Sequence, residues 1–190
     1  MRRPVLHFSH ANGFPAPTYR SMLGLLETSL RISSISALGM DPRHPPTEGW
    51  PHLTRQVIEH IERHHTHAVV GVGHSLGGYL TFMAAVARPD LFSSIILLDA
   101  PIIGAIKARL LGATKRFGIV ARVTPAGATR ERRDEWSSLA EAEHHFRGTS
   151  LFRQFAPEAL RDYVRYGPVD DGTDSLPMID PTTDPPPAGP

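Results

Sequence analysis

The sequence predicts an α/β fold in which a mostly parallel sheet is flanked by helices. Over the first hundred residues, short apolar runs rich in β-branched residues alternate with segments of helical periodicity, which is typical of a parallel sheet. The length of 190 residues leaves room for one domain with a proper core, and an apolar fraction of 41% is that of an ordinary globular protein. A glycine-flanked serine lies between one such strand and the helix that follows it.

The alternation in the first half can be assigned element by element. Strands are predicted where short apolar runs are bounded by turn residues, over 5–8, 31–38, 68–72 and 93–98. Helices are predicted where apolar residues recur on one face, over 19–30, 50–65 and 78–87. Thr18 is the expected N-cap of the first helix, and Pro89 ends the third. Gly- and Pro-rich loops separate the early elements.

The pattern changes after Pro101. Three helices are predicted with no strand between them, over 102–123, 130–146 and 157–166. A helical block that follows a sheet strand is typical of a lid over the strand ends, where open α/β sheets bind ligands. We therefore divide the chain into a sheet core at 1–101, a helical lid at 102–166 and an irregular Pro-rich tail at 167–190.

Composition excludes several classes of function. A formal charge of +1 argues against nucleic acid as a partner, and the absence of cysteine excludes disulfides and thiolate chemistry. The start of the chain enters a strand at once, without the apolar segment of a signal peptide. The longest apolar run, 91–106, is interrupted by Asp99 and Pro101, so no stable membrane anchoring is expected. These observations predict a cytoplasmic protein and leave its oligomeric state open.

The feature that carries chemistry is Gly73-His74-Ser75-Leu76-Gly77. A G-x-S-x-G pentapeptide between a strand and a helix forms a sharp turn that exposes the serine hydroxyl as a nucleophile. The alternative is a plain strand-to-helix turn in which small residues only permit close packing. Because strand, turn and helix occur in the required order, we predict that Ser75 is the nucleophile.

A second motif, His10-Ala11-Asn12-Gly13-Phe14-Pro15, directly follows the first strand. With both motifs, residues 4–170 resemble the α/β-hydrolase superfamily. The resemblance implies a serine hydrolase that acts on a small carboxylic ester or related acyl substrate without a cofactor or metal. It also implies that the backbone N–H groups of Leu76 and Phe14 form the oxyanion hole. The alternative for Asn12-Gly13 is a simple turn.

The rest of the catalytic machinery is not evident from the sequence. The resemblance implies an acid and then a histidine after later strands, but only one strand is predicted after the pentapeptide. Asp99, at the end of that strand, is a possible acid, although an aspartate there also commonly caps the following segment. His144 and His145 lie on a predicted lid helix, where solvation explains them better than catalysis.

Two other classes of function therefore stay open. The chain is alternatively a C-terminally shortened and catalytically impaired hydrolase that lacks the triad histidine, with a C-terminally incomplete sheet. A ligand-binding relative that uses the same pocket for recognition is the third interpretation. His60 and His64 have the i, i+4 spacing of metal ligands, but no carboxylate pattern supports them, and we expect no metal site.

Overall fold

The computed structural model describes residues 3–100, 136 and 138–167. Its sheet has four strands, all parallel, in the order β2-β1-β3-β4. The strands are β1 (Val5–Ser9), β2 (Arg31–Ser34), β3 (Val69–His74) and β4 (Phe92–Leu98). The parallel sheet predicted from the sequence is thus confirmed, and each predicted strand is present, although β2 ends at Ser34, four residues before its predicted end.

Helices connect the strands and cover the sheet. The α-helices are α1 (Arg20–Gly24), α2 (Pro51–His64), α3 (Leu76–Ala87), α4 (Leu139–Gly148) and α5 (Pro157–Tyr166). Short 3₁₀ turns occupy Ala16–Tyr19, Pro89–Leu91 and Phe152–Gln154. None of the described helices is both long and apolar enough to cross a membrane.

The two faces of the sheet are packed by different helices. On one face, α2 and α3 enclose a core with the start of β3, formed by Leu53, Val57, Ile61, Val69, Leu80 and Ala84. On the other, α1 contributes Leu23 to a cluster with Leu6, Phe8 and Val72. Alternation along β1 produces this division, because successive side chains of a strand point to opposite faces. Leu6 and Phe8 therefore face α1, and His7 lies against α2.

Strand register determines where the two sequence motifs meet. Ser9, the last residue of β1, pairs with Gly73 of β3. Both strands run in the same direction, so the loop after β1 and the turn after β3 leave the same edge of the sheet. Ligands of open α/β sheets bind at this carboxyl edge. The fold therefore places the loop 10–15 beside the pentapeptide.

The helix predicted over 19–30 is much shorter in the structure. A 3₁₀ turn precedes α1, and turns follow it, with the Leu26 N–H donating to the Leu23 carbonyl three residues back rather than four. Thr18 does not cap a helix; its hydroxyl donates to the Pro15 carbonyl at 2.7 Å. Without an N-cap, and with Gly24 at its end, this segment lacks the signals that extend a helix.

Only part of the predicted lid can be compared with the structure. The helix predicted over 157–166 is present as α5, and α4 occupies the end of the one predicted over 130–146. Phe146, Phe152, Leu160 and Tyr163 form a compact core between these helices. The helix predicted over 102–123 and nearly all of the tail predicted over 167–190 lie outside the described residues. The division into core, lid and tail remains a prediction.

Candidate active site

Ser75 has a backbone conformation that few serines adopt. It lies between β3 and α3 with φ of 50° and ψ of −117°, in the positive-φ region that favours glycine. Such strain costs about 1–3 kcal/mol and persists only where the surroundings impose it. Here the Ser75 N–H donates to the Leu98 carbonyl at 2.9 Å, and the Ser75 carbonyl accepts the Gly78 N–H at 2.9 Å. The sheet edge and the helix start together hold the turn.

The two glycines of the pentapeptide are required by close backbone approach. A Cβ on Gly73 would lie 2.3 Å from the Gly77 carbonyl oxygen, so any side chain would separate the strand from the helix. A Cβ on Gly77 would lie 2.0 Å from the Ser9 carbonyl oxygen. The glycines thus let the start of α3 pack directly against the end of β1. This contact brings the loop after β1 to the turn that carries Ser75.

The two predicted oxyanion donors lie on these adjoining segments. Leu76 is the first residue of α3, so its N–H has no carbonyl one turn earlier in the helix and lies at the positive end of the helix dipole. The Phe14 N–H instead donates to the Ala11 carbonyl at 3.1 Å within the loop. An oxyanion would have to share or displace this bond. The role of Phe14 remains a prediction.

Asp99, the possible acid, directly follows β4. Its φ of 47° is positive, and its neighbour Leu98 provides the carbonyl that accepts the Ser75 N–H. The backbone of Asp99 is therefore close to the turn that carries Ser75, but the residue is exposed. No hydrogen bond joins it to a histidine among the described residues. Its role in catalysis remains a prediction.

His10 is held by its neighbours and cannot serve as a base as it stands. Its Nδ1 lies 2.8 Å from the Ala11 carbonyl oxygen, which can only accept, and its Nε2 lies 2.7 Å from the Leu38 N–H, which can only donate. These partners assign the neutral ring with the proton on Nδ1. Burial lowers the pKa of His10, although the bond to Ala11 opposes the shift. The His10 ring therefore links the loop after β1 to the backbone at Leu38.

His74, the residue before Ser75, points to Tyr19. Its Nδ1 lies 2.7 Å from the Tyr19 hydroxyl oxygen, which also accepts the Ala11 N–H at 3.3 Å. The sequence indicated Tyr19 only as part of an apolar helix face, because nothing local reveals a contact 55 residues away. No histidine among residues 3–100 and 138–167 forms a hydrogen bond with the Ser75 hydroxyl.

Aromatic side chains from α5 and from the turn before it pack against Phe14. The Phe14 ring lies 4.9 Å from that of Tyr163 and 6.1 Å from that of Phe152, measured between centroids. The helix α5 is also tied to the start of α1, where the Ser21 N–H donates to an Asp162 carboxylate oxygen at 2.6 Å. Aromatic side chains therefore lie beside the predicted oxyanion loop.

Comparisons with known proteins agree with this architecture. A model of the "Alpha/beta hydrolase family" matches residues 6–188. No protein with a curated description matches the sequence significantly.

Solved structures share the fold at low identity. An E-2-(acetamidomethylene)succinate hydrolase is 18% identical with a TM-score of 0.60, and the match covers 86% of this chain and 56% of the hydrolase chain. A peroxisomal alpha-beta-hydrolase from Saccharomyces cerevisiae is 19% identical with a TM-score of 0.57, covering 86% and 50%. A thioesterase domain from the curacin biosynthetic pathway is 17% identical with a TM-score of 0.56, covering 87% and 59%. The chain thus spans little more than half the length of these structures.

Proposed function

The chain belongs to the alpha/beta hydrolase family, and on that premise we propose that it is a serine hydrolase of carboxylic esters or related acyl compounds. The observation that carries the proposal is the strained backbone of Ser75. A turn that served packing alone would be cheapest with glycine at this position, since only glycine adopts positive φ without cost. Ser75 occupies this position between Gly73 and Gly77, where any added side chain would clash with backbone atoms. The choice of serine over glycine therefore supports a role for the hydroxyl itself.

The proposed reaction follows from this geometry. The Ser75 oxygen attacks the carbonyl carbon of the ester, and the carbonyl oxygen takes the negative charge. The N–H groups of Leu76 and Phe14 stabilise that oxyanion, supported by the positive end of α3. The bond to the alcohol then breaks, and the alcohol leaves with the proton that Ser75 gave up. Water next attacks the acyl-enzyme, which releases the acid and restores the hydroxyl.

The proposed substrate class rests on membership of the alpha/beta hydrolase family. A formal charge of +1 argues against nucleic acid as the substrate. Asp99 is the proposed acid of the triad, since the nucleophile turn is bonded to the strand that ends just before it. A cytoplasmic location stays a prediction.

A second candidate is a member of the same family with impaired turnover. It is favoured by one observation, that no described histidine is hydrogen-bonded to Ser75. A serine hydroxyl without a base is a weak nucleophile. Loss of one triad member costs several orders of magnitude in turnover and leaves only the oxyanion hole and substrate binding.

Labelling and turnover together separate the two candidates. We expect a fluorophosphonate probe to label the wild type and the control Ser29→Ala, which changes an exposed serine before β2, but not Ser75→Ala. For an active hydrolase, p-nitrophenyl ester turnover falls at least about a thousandfold in Ser75→Ala. An impaired member without a base is labelled slowly or not at all and has no Ser75-dependent turnover, because attack on the fluorophosphonate also needs a base to take the serine proton. If Ser75→Ala is labelled as fast as the wild type, Ser75 is not the nucleophile.

A further inference from the structure

We propose that Tyr19 is a positioning residue, which holds the loop carrying Phe14 at a set distance from the turn carrying Ser75. This inference rests on the proposed function, in which an oxyanion must be held by the amides of Leu76 and Phe14 together. These amides belong to segments that are far apart in sequence. Their separation therefore depends on contacts between the two segments.

The hydroxyl of Tyr19 contacts both segments with one atom. It accepts the Ala11 N–H at 3.3 Å and lies 2.7 Å from His74 Nδ1. Ala11 is in the loop after β1, and His74 is the last residue of β3, directly before Ser75. The phenol oxygen thus bridges the start of one segment and the start of the other.

The Tyr19 ring is itself held in place. Its edge packs against Phe8 on β1, with ring centroids 4.7 Å apart and planes at 61°, and the His74 ring lies 5.9 Å away at 79°. Phe8 is fully buried. Burial also raises the pKa of Tyr19 to about 12, so the hydroxyl keeps its proton at any pH used for assay.

The contact is transmitted to Phe14 through the Ala11 peptide groups. The Ala11 carbonyl accepts the Phe14 N–H at 3.1 Å and the His10 Nδ1–H at 2.8 Å. A shift of Ala11 therefore moves the Phe14 amide. His10 keeps the Ala11 carbonyl partnered when the Phe14 N–H turns to an oxyanion, so the donor can be released without leaving a buried acceptor unpaired.

The test removes one oxygen atom. Removal of a whole oxyanion donor costs about a hundred- to a thousandfold in rate. Tyr19→Phe displaces a donor rather than deleting it, so we expect the maximal rate of Ser75 labelling by a fluorophosphonate to fall about tenfold. The concentration for half-maximal labelling should stay within about twofold, because the site that binds the probe is unchanged.

Tyr166→Phe is the matched control. Its hydroxyl accepts a hydrogen bond from Arg20 at 2.9 Å on the surface of α5, away from both oxyanion segments. We expect this variant to label like the wild type. A purely structural role for Tyr19 predicts instead that the slower labelling is matched by a lower fraction of folded protein, measured by circular dichroism, and that result would overturn the proposal.

Two readouts keep this proposal separate from the proposed function. If the wild type labels at Ser75 and Tyr19→Phe labels equally fast, the positioning role is wrong and the nucleophile stands. If the wild type is not labelled, the proposed function fails. Hydrogen exchange of the Ala11 amide then tests whether the Tyr19 hydroxyl bridges Ala11 and His74. Faster exchange in Tyr19→Phe supports this bridge, and unchanged exchange overturns it.

Discussion

His7 makes the stability of this fold sensitive to acid. It lies in the middle of β1 with 0% exposure, and neither ring nitrogen has a hydrogen-bond partner among the described residues. The imidazole of His60, on α2, lies 5.2 Å away between centroids. A buried ring without partners stays neutral, because charging it would place an uncompensated ion in a medium of low dielectric.

The surroundings add positive charge rather than remove it. His64 and His65 extend the cluster beyond His60, and the Ser33 hydroxyl lies 2.9 Å from His65 Nε2 and 3.3 Å from His60 Nε2. Cationic and acidic side chains also line or adjoin this part of β2 and α2, namely Arg31, Arg63, Asp41, Arg43, His44 and Glu59. Asp41 forms a salt bridge with Arg43, and the carboxylates of Asp41 and Glu59 both contact His44. These two acids therefore do not offset a charge on His7.

Burial, and then the charges of His60, His65 and His64, lower the pKa of His7 from 6.5 to about 3. Between about pH 6.5 and pH 3, His7 therefore binds a proton in the unfolded chain but stays neutral in the folded chain. The free energy of unfolding must fall as the pH drops from 6.5 toward 3, and it is fully retained above 6.5. At about 1.4 kcal/mol per pH unit, two units below 6.5 cost roughly 2–3 kcal/mol. That is a large part of the 5–15 kcal/mol that stabilises a typical domain.

Urea unfolding at pH 7.5, 6.5, 5.5 and 4.5 measures this loss. His7→Leu, similar in volume and without a titrating group, should have a shallower fall between pH 6.5 and 4.5, by about 2 kcal/mol relative to the wild type. His52→Leu, at an exposed position of the same helix that carries His60, should keep the wild-type slope. Parallel slopes for the wild type and His7→Leu would refute the reasoning, whatever the absolute stabilities.

Two further predictions concern packing. Gly77→Ala should lower the unfolding free energy by about 3 kcal/mol or more and abolish Ser75 labelling, because its Cβ would lie 2.0 Å from the Ser9 carbonyl oxygen. The control Gly148→Ala should change the unfolding midpoint little, because the new Cβ has open space around it. Leu160→Ala, fully buried between α4 and α5, should cost about 2–5 kcal/mol in urea unfolding, and the exposed control Leu151→Ala under about 0.5 kcal/mol. Equal losses within either pair would contradict the packing described.

Much of the sheet is predictable from local pattern, and α1 shows where that fails. The strands β3 and β4 are short apolar runs whose neighbours are glycine, proline and polar residues, so sequence and tertiary structure favour the same state. The segment 19–30 has helical periodicity but breaks after Gly24, since its apolar side chains serve a single turn against the sheet and then a loop. In this segment periodicity indicates neither how far the helix extends nor, at Met22 and Leu26, which side chains are buried, since both are exposed.

The site divides in the same way. Ser75 and its two glycines are predictable, because a sharp strand-to-helix turn needs those residue types at that spacing. His10 and Tyr19 are not, since their partners Leu38 and His74 are 28 and 55 residues away and ordinary residues in their own segments. Local sequence specifies backbone conformation, whereas side-chain bridges depend on how segments meet.

Strain at Ser75 and nucleophilic activity depend on different parts of the molecule. The positive φ is imposed by the Leu98 carbonyl, by the start of α3 and by the contact of Gly77 with β1. None of these contacts involves a base, so the turn keeps its form whether or not a histidine reaches the hydroxyl. A nucleophile turn is therefore stronger support for the family than for turnover. Probe labelling and ester hydrolysis both require a base that takes the Ser75 proton, and turnover also requires a base that activates the water releasing the acid. The Ser75-dependent rates of labelling and of turnover, measured together, therefore distinguish a working hydrolase from an impaired one.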